Sequence, residues 1–258
     1  MHHQPHLPLC LYPDWPAPPW VRAAVTTRHG GVSQTPYASL NLGTQVGDDP
    51  AAVATNRARL RVALDLPAEP NWLCQVHGAC AVALPTVAGT CADAAYTQQL
   101  GVVCAVLTAD CLPVLFCERA GRRIAAAHAG WRGLVNGVLE ATLSAAQLRP
   151  ADTLAWLGPA IGPTAFEVGA EVRAAFLDQD AQAAAAFVPQ ANKPGHWLAD
   201  LYTLARQRLA RYGVTAVYGG GRCTYHEAAL FYSYRRERDT GRMASLIWLT
   251  ADAPDHAP

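Results

Sequence analysis

A chain of 258 residues in which 51% are hydrophobic and 16% charged can bury a substantial core, which excludes an intrinsically disordered protein. Lys plus Arg equals Asp plus Glu at 20 each, so the formal net charge of zero leaves no basic footprint for nucleic acid or an anionic membrane surface, and a small-molecule ligand is expected. No apolar stretch is long enough to read as a transmembrane span, and residues 1–19 lack the basic and apolar regions of a secretory signal, so the cytoplasm is the expected compartment.

Val21 to Thr27 reads as a strand that ends in the turn Arg28-His29-Gly30-Gly31, where adjacent glycines allow a close approach to a ligand. A helix is expected from Asp48-Asp49-Pro50 to about Leu64, with acidic residues and proline at its start. Val53, Leu60 and Leu64 share one face of it, and Arg57 falls in the same stripe. Two readings follow for Arg57: its stem covers apolar surface while the guanidinium reaches water, or a buried cation faces an anionic ligand.

Strands are expected over Trp72–Val76, Val102–Thr108 and Ile124–His128, the second nearly continuous in apolar residues and therefore central. Gly133–Leu148 reads as a helix, Leu154–Leu157 as a strand and Val168–Leu177 as a helix. Ala181–Ala186 is a short helical or loop segment, Asp200 opens a helix to about Tyr212, and Thr215–Tyr218 and Ser245–Leu249 close the chain as strands. Because strands and helices alternate only loosely, the expected fold is mixed α/β: a mixed β-sheet flanked by helices in a single domain over 20–250, between an N-terminal extension (1–19) and a C-terminal tail (251–258).

The eight cysteines are read as thiols of a reducing compartment, mostly small core residues, and no Cys-x-x-Cys pair points to a zinc ribbon. Three strings carry chemistry: Cys74-Gln75-Val76-His77-Gly78, Thr108-Ala109-Asp110-Cys111-Leu112-Pro113 and Ala127-His128-Ala129-Gly130-Trp131-Arg132-Gly133. Each offers one metal ligand at an expected strand end. His77, Cys111 and His128 together would hold a tetrahedral ion with its fourth position open, the arrangement of a catalytic site. Asp110 is a candidate proton shuttle or a turn cap, and Trp131 packs or stacks on a ring. Arg57, Arg28 and Arg132 can offer planar donors to phosphate, with the amides of Gly30 and Gly31 nearby; for Arg28 and Arg132 surface ion pairing competes.

These strings resemble those of the YfiH family, also called DUF152 or multicopper polyphenol oxidases (laccases). Supporting segments are Thr27–Ser33, Ser39-Leu40-Asn41-Leu42-Gly43, Gly158–Pro163 and Cys223-Thr224-Tyr225, and the similarity runs from about Val21 to Leu249. The resemblance implies a YfiH-like fold and a zinc-dependent enzyme that phosphorolyses adenosine, inosine, guanosine and S-methyl-5′-thioadenosine and deaminates adenosine. It matches the metal positions to His77, Cys111 and His128, and the family's functional arginine, in an Asn-Arg dipeptide, to Asn56-Arg57. Asn41, Arg28, Asp110 and Arg132 are then the expected substrate contacts, with purine nucleosides and phosphate as the small-molecule partners.

Three rival readings remain. The older family label implies copper-dependent phenol oxidation, which needs several coppers and many histidines; nine occur here, and His2, His3 and His6 sit in an expected mobile tail. Cys111 with His128 as base would make a cysteine hydrolase. The family's link to peptidoglycan editing would suit a metal-stabilised binding protein.

Overall fold

Short runs of Ala, Val, Leu and Ile, bounded by Gly, Pro and Asp, favour strands over much of the chain. In the computed structural model, which describes residues 9–252, they form three sheets. His2, His3, His6 and residues 253–258 of the expected tail lie outside the described residues.

Cys10–Leu11 (β1) and Val21–Thr26 (β2) precede the helix Pro50–Ala63 (α1). Ala81–Ala83 (β3), Ala94–Thr97 (β4), Val103–Thr108 (β5), Leu112–Glu118 (β6) and Ile124–Ala129 (β7) follow. Next come Trp131–Val135 (α2), Val138–Ala145 (α3), Thr153–Leu157 (β8), Glu167–Gly169 (β9) and Ala170–Leu177 (α4). Phe187–Pro189 (β10), His196–Ala199 (β11), Leu201–Tyr212 (α5), Ala216–Gly219 (β12), Tyr234–Glu237 (α6) and Met243–Leu249 (β13) complete the order.

The fold is mixed α/β with a mixed sheet flanked by helices, as expected, and two antiparallel sheets accompany it. An antiparallel sheet runs β1-β2-β13-β5, a six-stranded sheet β12-β8-β6-β7-β4-β3, and a small sheet β10-β11-β9. In the six-stranded sheet β12–β8 and β3–β4 are parallel and the other pairs antiparallel. Side chains alternate across a strand, and β6 uses both faces. Val114 and Phe116 meet Leu139 and Leu143 of α3 and Leu204 and Leu209 of α5 in one core. Leu115 and Cys117 meet Val25, Cys104, Val106 and Ile247 of the four-stranded sheet in another. The far face of that sheet, Ala24, Ala105 and Leu246, packs on Leu60 of α1 and on Leu40 and Leu42.

Several expectations change. The strand over Val102–Thr108 forms as β5 but ends its sheet instead of centring it; burial on both faces makes an apolar run whatever the strand's place in the order. Trp72–Val76 is no strand: isolated bridges occur at Cys74–Cys91 and, just before the segment, at Asn71–Cys104. Gln75 stands in for a ladder there: its side chain donates to Leu107 O at 2.8 Å and accepts from Leu107 N at 2.7 Å, closing the open edge of β5. The expected helix over Gly133–Leu148 is two, because Gly137 takes a φ of +84° between α2 and α3. Cys10–Leu11, inside the expected extension, pairs with β2. Of the cysteines, all free, Cys10, Cys104 and Cys117 are buried, so core packing is not the rule for the set.

α1 starts as expected, with Asp49 capping Ala51 N at 3.0 Å ahead of Pro50. Its buried face contains a polar residue, Asn56. The Asn56 amide donates to Ser33 Oγ (2.8 Å), Ser39 O (3.2 Å) and Asn41 O (2.9 Å), and its carbonyl accepts from Val32 N (2.8 Å). Asn56 therefore ties the 31–41 loop to the helix, and Gly31 lies so close that a Cβ would sit 2.5 Å from Asn56 Oδ1. Removing the amide strands buried groups at about 1–3 kcal/mol each. Asn56→Ala is expected to lower unfolding free energy by about 2 kcal/mol or more in a denaturant titration; an unchanged midpoint and slope would show that the loop is held otherwise.

Candidate metal centre

Strand register places the cluster. In the β6–β7 pair Leu112 lies opposite Ala129 and Pro113 opposite His128, which puts Cys111 beside Gly130. The fit is close: a Cβ at Gly130 would stand 2.8 Å from Cys111 Sγ and 3.3 Å from His77 Cδ2, so glycine is the residue that lets the thiol and imidazole meet. β4 pairs with β7 on the other side, Ala94 opposite Ala127, and His128 N donates to Asp93 O at 2.7 Å.

His77, Cys111 and His128 thus converge, with their ligand atoms all within 4.8 Å of one another. Cys111 Sγ is 3.8 Å from His77 Nε2, and the two imidazoles meet edge to face at 4.8 Å between centroids. Ligand bonds of about 2.0–2.3 Å around a tetrahedral ion imply donors roughly 3.5 Å apart; the Cys111–His77 pair is near that spacing, and one thiolate with two imidazoles is a donor set that suits a borderline ion such as zinc. Cys111 stands between β5 and β6 and His128 within β7, whereas His77 lies in a loop rather than at a strand end.

Asp93 is the residue that sequence reasoning missed. Its fully buried carboxylate accepts from His77 N (2.9 Å) and from Gly78 N (2.7 Å) and Val76 N (3.2 Å), while Oδ1 also faces His128 Nδ1 at 2.8 Å. One carboxylate therefore fixes the backbone of the first ligand, which has a φ of +60°, and turns Nε2 of another toward the cluster. The signal was the lone acidic residue before the apolar Ala94–Thr97 strand, visible only once β4 is recognised.

Burial acts to raise the Cys111 pKa, but the His128 charge and hydrogen bonds from His128 and His77 outweigh it and draw the thiol down to about 6. For His128, burial acts to lower the pKa, yet the Cys111 thiolate and Asp93 lift it to about 9. Asp93 itself is held below its ordinary value: burial opposes this, and the hydrogen bonds from His128 and the 76–78 backbone prevail. The two shifts reinforce each other, each group favouring the charged form of its partner.

The cluster opens into a cavity of about 770 Å³ whose charged lining is Asp110 with Arg57, Arg132, Arg235 and Arg242. Trp72, Trp131 and Phe166 supply aromatic wall. Arg57 is half-buried and reaches the cavity, but Nε and Nη2 both donate to Leu42 O (3.1 and 2.8 Å) and its guanidinium lies 4.2 Å from the Trp72 ring centroid. Arg132 is exposed and covers Trp131 at 4.4 Å. Asp110, with a φ of +93°, accepts from Thr224 Oγ1 (2.6 Å) and Arg235 N (2.7 Å), so its carboxylate braces a strained turn.

Arg28 and Asn41 are not among the cavity's lining residues. Arg28 donates to Glu237 (2.9 Å), Ala38 O and Ala228 O and lies against Tyr232. Asn41 is fully buried, bonded to Gly43, Asp48 and Arg242 N, and Gly31 N turns to Ser39 Oγ. Their polar atoms are engaged in building the loop beneath the site. Arg235 and Arg242 were not singled out from the sequence, because nothing in their local pattern separates them from surface arginines.

Residues 22–250 match the family model described as "Multi-copper polyphenol oxidoreductase laccase". The chain is 59% identical over 239 residues to a Pseudomonas aeruginosa protein named purine nucleoside phosphorylase PA4543, covering 93% of this chain and 98% of that one. It is 58% identical over 241 residues to the Escherichia coli protein named purine nucleoside phosphorylase YfiH, with the same coverage of 93% and 98%. Among solved structures, Neisseria meningitidis protein NMB0706, a DUF152 protein, superposes with a TM-score of 0.90 at 52% identity, covering 95% of this chain and 100% of that one.

Two outcomes are expected of the cluster. Asp93→Asn should weaken zinc affinity by about 10- to 100-fold in a competitive chelator titration, and unchanged affinity would deny Asp93 its orienting part. In metal-free protein, the 240 nm thiolate absorbance missing from Cys111→Ser should be present at pH 7 and disappear as pH falls through about 6; a midpoint near 9 would mean that the histidines do not stabilise the anion.

Proposed function

The chain belongs to the YfiH/DUF152 family, whose model is described as a multi-copper polyphenol oxidoreductase laccase, and we propose that it is a zinc-dependent purine nucleoside phosphorylase. Its proposed substrates are adenosine, inosine, guanosine and S-methyl-5′-thioadenosine, with adenosine deamination as a second activity, in the cytoplasm, and residues 20–250 as the catalytic unit. The relatives' names support the enzyme class. Among the described residues no helix is long and apolar enough to cross a membrane.

The observation that carries this reading is the convergence of His77, Cys111 and His128 on a cavity lined by arginines and aromatic rings. Its volume of about 770 Å³ is of the size that encloses small organic ligands. Held by His77, Cys111 and His128, zinc supplies Lewis-acid stabilisation of negative charge at the cavity wall.

In phosphorolysis a phosphate oxygen bonds to the sugar C1′ as the C1′–N9 bond breaks; the electron pair leaves with the purine, which takes up a proton. The chain must therefore bind a dianion beside an apolar ring. Arginine guanidinium groups meet the first need, and Trp72, Trp131 and Phe166 offer faces for the second. Asp93 orients His128, Asp110 braces the Cys111 turn, and Arg57, anchored on Leu42 O, presents its remaining Nη1 donors.

One observation favours a second reading. Cys111, His128 and Asp93 also line up as nucleophile, base and orienting carboxylate, the arrangement of a cysteine hydrolase. The family description's copper adds a third possible outcome, since thiolate and imidazole also take copper.

Metal-analysed protein incubated with adenosine and phosphate, with products resolved by chromatography, separates these. Adenine, inosine and hypoxanthine are expected in air and under nitrogen alike, lost on chelation, restored by zinc and absent with Cys111→Ala. No product from zinc-loaded protein overturns the proposal. Activity that survives chelation while substrate traps Cys111 covalently establishes the hydrolase, and activity requiring copper and oxygen establishes the oxidase.

A further inference from the structure

Four arginines line the cavity, and they differ in what their donors already do. Arg57 has Nε and Nη2 on Leu42 O. Arg235, exposed, has Nη1 on Glu167 O at 2.9 Å, and Arg132 lies exposed over Trp131. Arg242 is half-buried, with Nη1 alone tethered, to Thr240 O at 2.8 Å and Gly241 O at 3.0 Å. Among the described residues, its Nε and Nη2 have no hydrogen-bond acceptor. These two groups form one edge of the guanidinium fork, the edge that grips two oxygens of one anion.

The fold places Arg242 at the cavity wall. Arg242 immediately precedes β13, whose Met243 pairs with Thr108 of β5, so it stands beside the turn that carries Asp110 and Cys111, both of which are its electrostatic neighbours. Its backbone N donates to Asn41 Oδ1 at 2.9 Å and its carbonyl accepts from Leu42 N at 3.2 Å. Gly43 makes room for the stem: a Cβ there would lie 2.8 Å from Arg242 Cγ. Burial disfavours the charged guanidinium, so an anion at its open edge recovers part of that cost.

We propose that Arg242 is the residue that holds inorganic phosphate next to the metal cluster, through Nε and Nη2. The inference rests on the phosphorolysis reading and assigns its co-substrate a place: Arg242 binds the dianion whose oxygen bonds to C1′ as the purine leaves, and Arg57 borders the same cavity.

The test is calorimetric titration of the zinc-loaded, full-length protein with inorganic phosphate, alongside steady-state kinetics in which phosphate and nucleoside are varied separately. Arg242→Gln is expected to weaken phosphate binding by about 10- to 100-fold and to raise KM for phosphate far more than KM for nucleoside. Arg242→Lys, which keeps the charge but loses the fork, should fall between the two and guards against a folding defect in the glutamine variant. Arg206→Gln, on the exposed face where Arg206 holds Val217 O and Gly219 O, should bind phosphate as the parent does. The inference is overturned if folded Arg242→Gln binds phosphate as tightly as the parent, or if the parent binds none. Should phosphate bind through Arg242 while no nucleoside is cleaved, the anion site stands and the phosphorolysis reading alone fails.

Discussion

The fully buried Asp93 carboxylate receives three backbone N–H groups from Val76 to Gly78 and faces the buried His128 imidazole. A buried carboxylate is costly unless its oxygens are satisfied, and here that need draws together two segments far apart in sequence. The loop bearing His77 has no ladder of its own. It is shaped by Asp93 from one side and by the Gln75 contact with β5 from the other. Without Asp93, the loop would lose its turn and His128 the partner that sets its ring, so the metal cluster depends on this one group.

Around that anchor the site is a product of register. The β6–β7 pairing brings Cys111 against Gly130, the β4–β7 pairing brings Asp93 against His128, and the β13–β5 pairing brings Arg242 toward the Cys111 turn. Two sheets therefore contribute to one cavity, packed on each other through Leu115, Cys117, Val106 and Ile247. A one-residue slip in any of these pairs would turn the corresponding side chain to the other face. The residues at the junction also carry backbone strain, with positive φ at His77 and Asp110, and each is held by hydrogen bonds that compensate for it.

The two names attached to the family describe different chemistry, copper oxidation in its model and nucleoside cleavage in its similar relatives. The cavity's composition leans to the second. Guanidinium groups at its wall suit an anionic co-substrate, and aromatic rings beside them suit a flat heterocycle. A single thiolate with two imidazoles is a mixed donor set that zinc and copper both accept, so the metal is a matter of loading rather than of the ligands alone.

The sequence alone was enough to read the mixed α/β class, the capped start of α1 and most of the helices, while the three strings that carry His77, Cys111 and His128 were legible together through their family resemblance. Those are local properties, set by turn chemistry, periodicity and the residue types within each string. It did not reveal β4 or β6, since a short strand of small residues and one opening on Leu112-Pro113 lack the usual pattern. With them went Asp93, whose partners lie 15 to 35 residues away, and the true place of β5 at the end of its sheet. Nor could helical spacing show that Arg57 would bond Leu42 O while Arg242 kept an open edge. Which donors a side chain has left depends on neighbours distant in sequence, and only the packed sheets supply them.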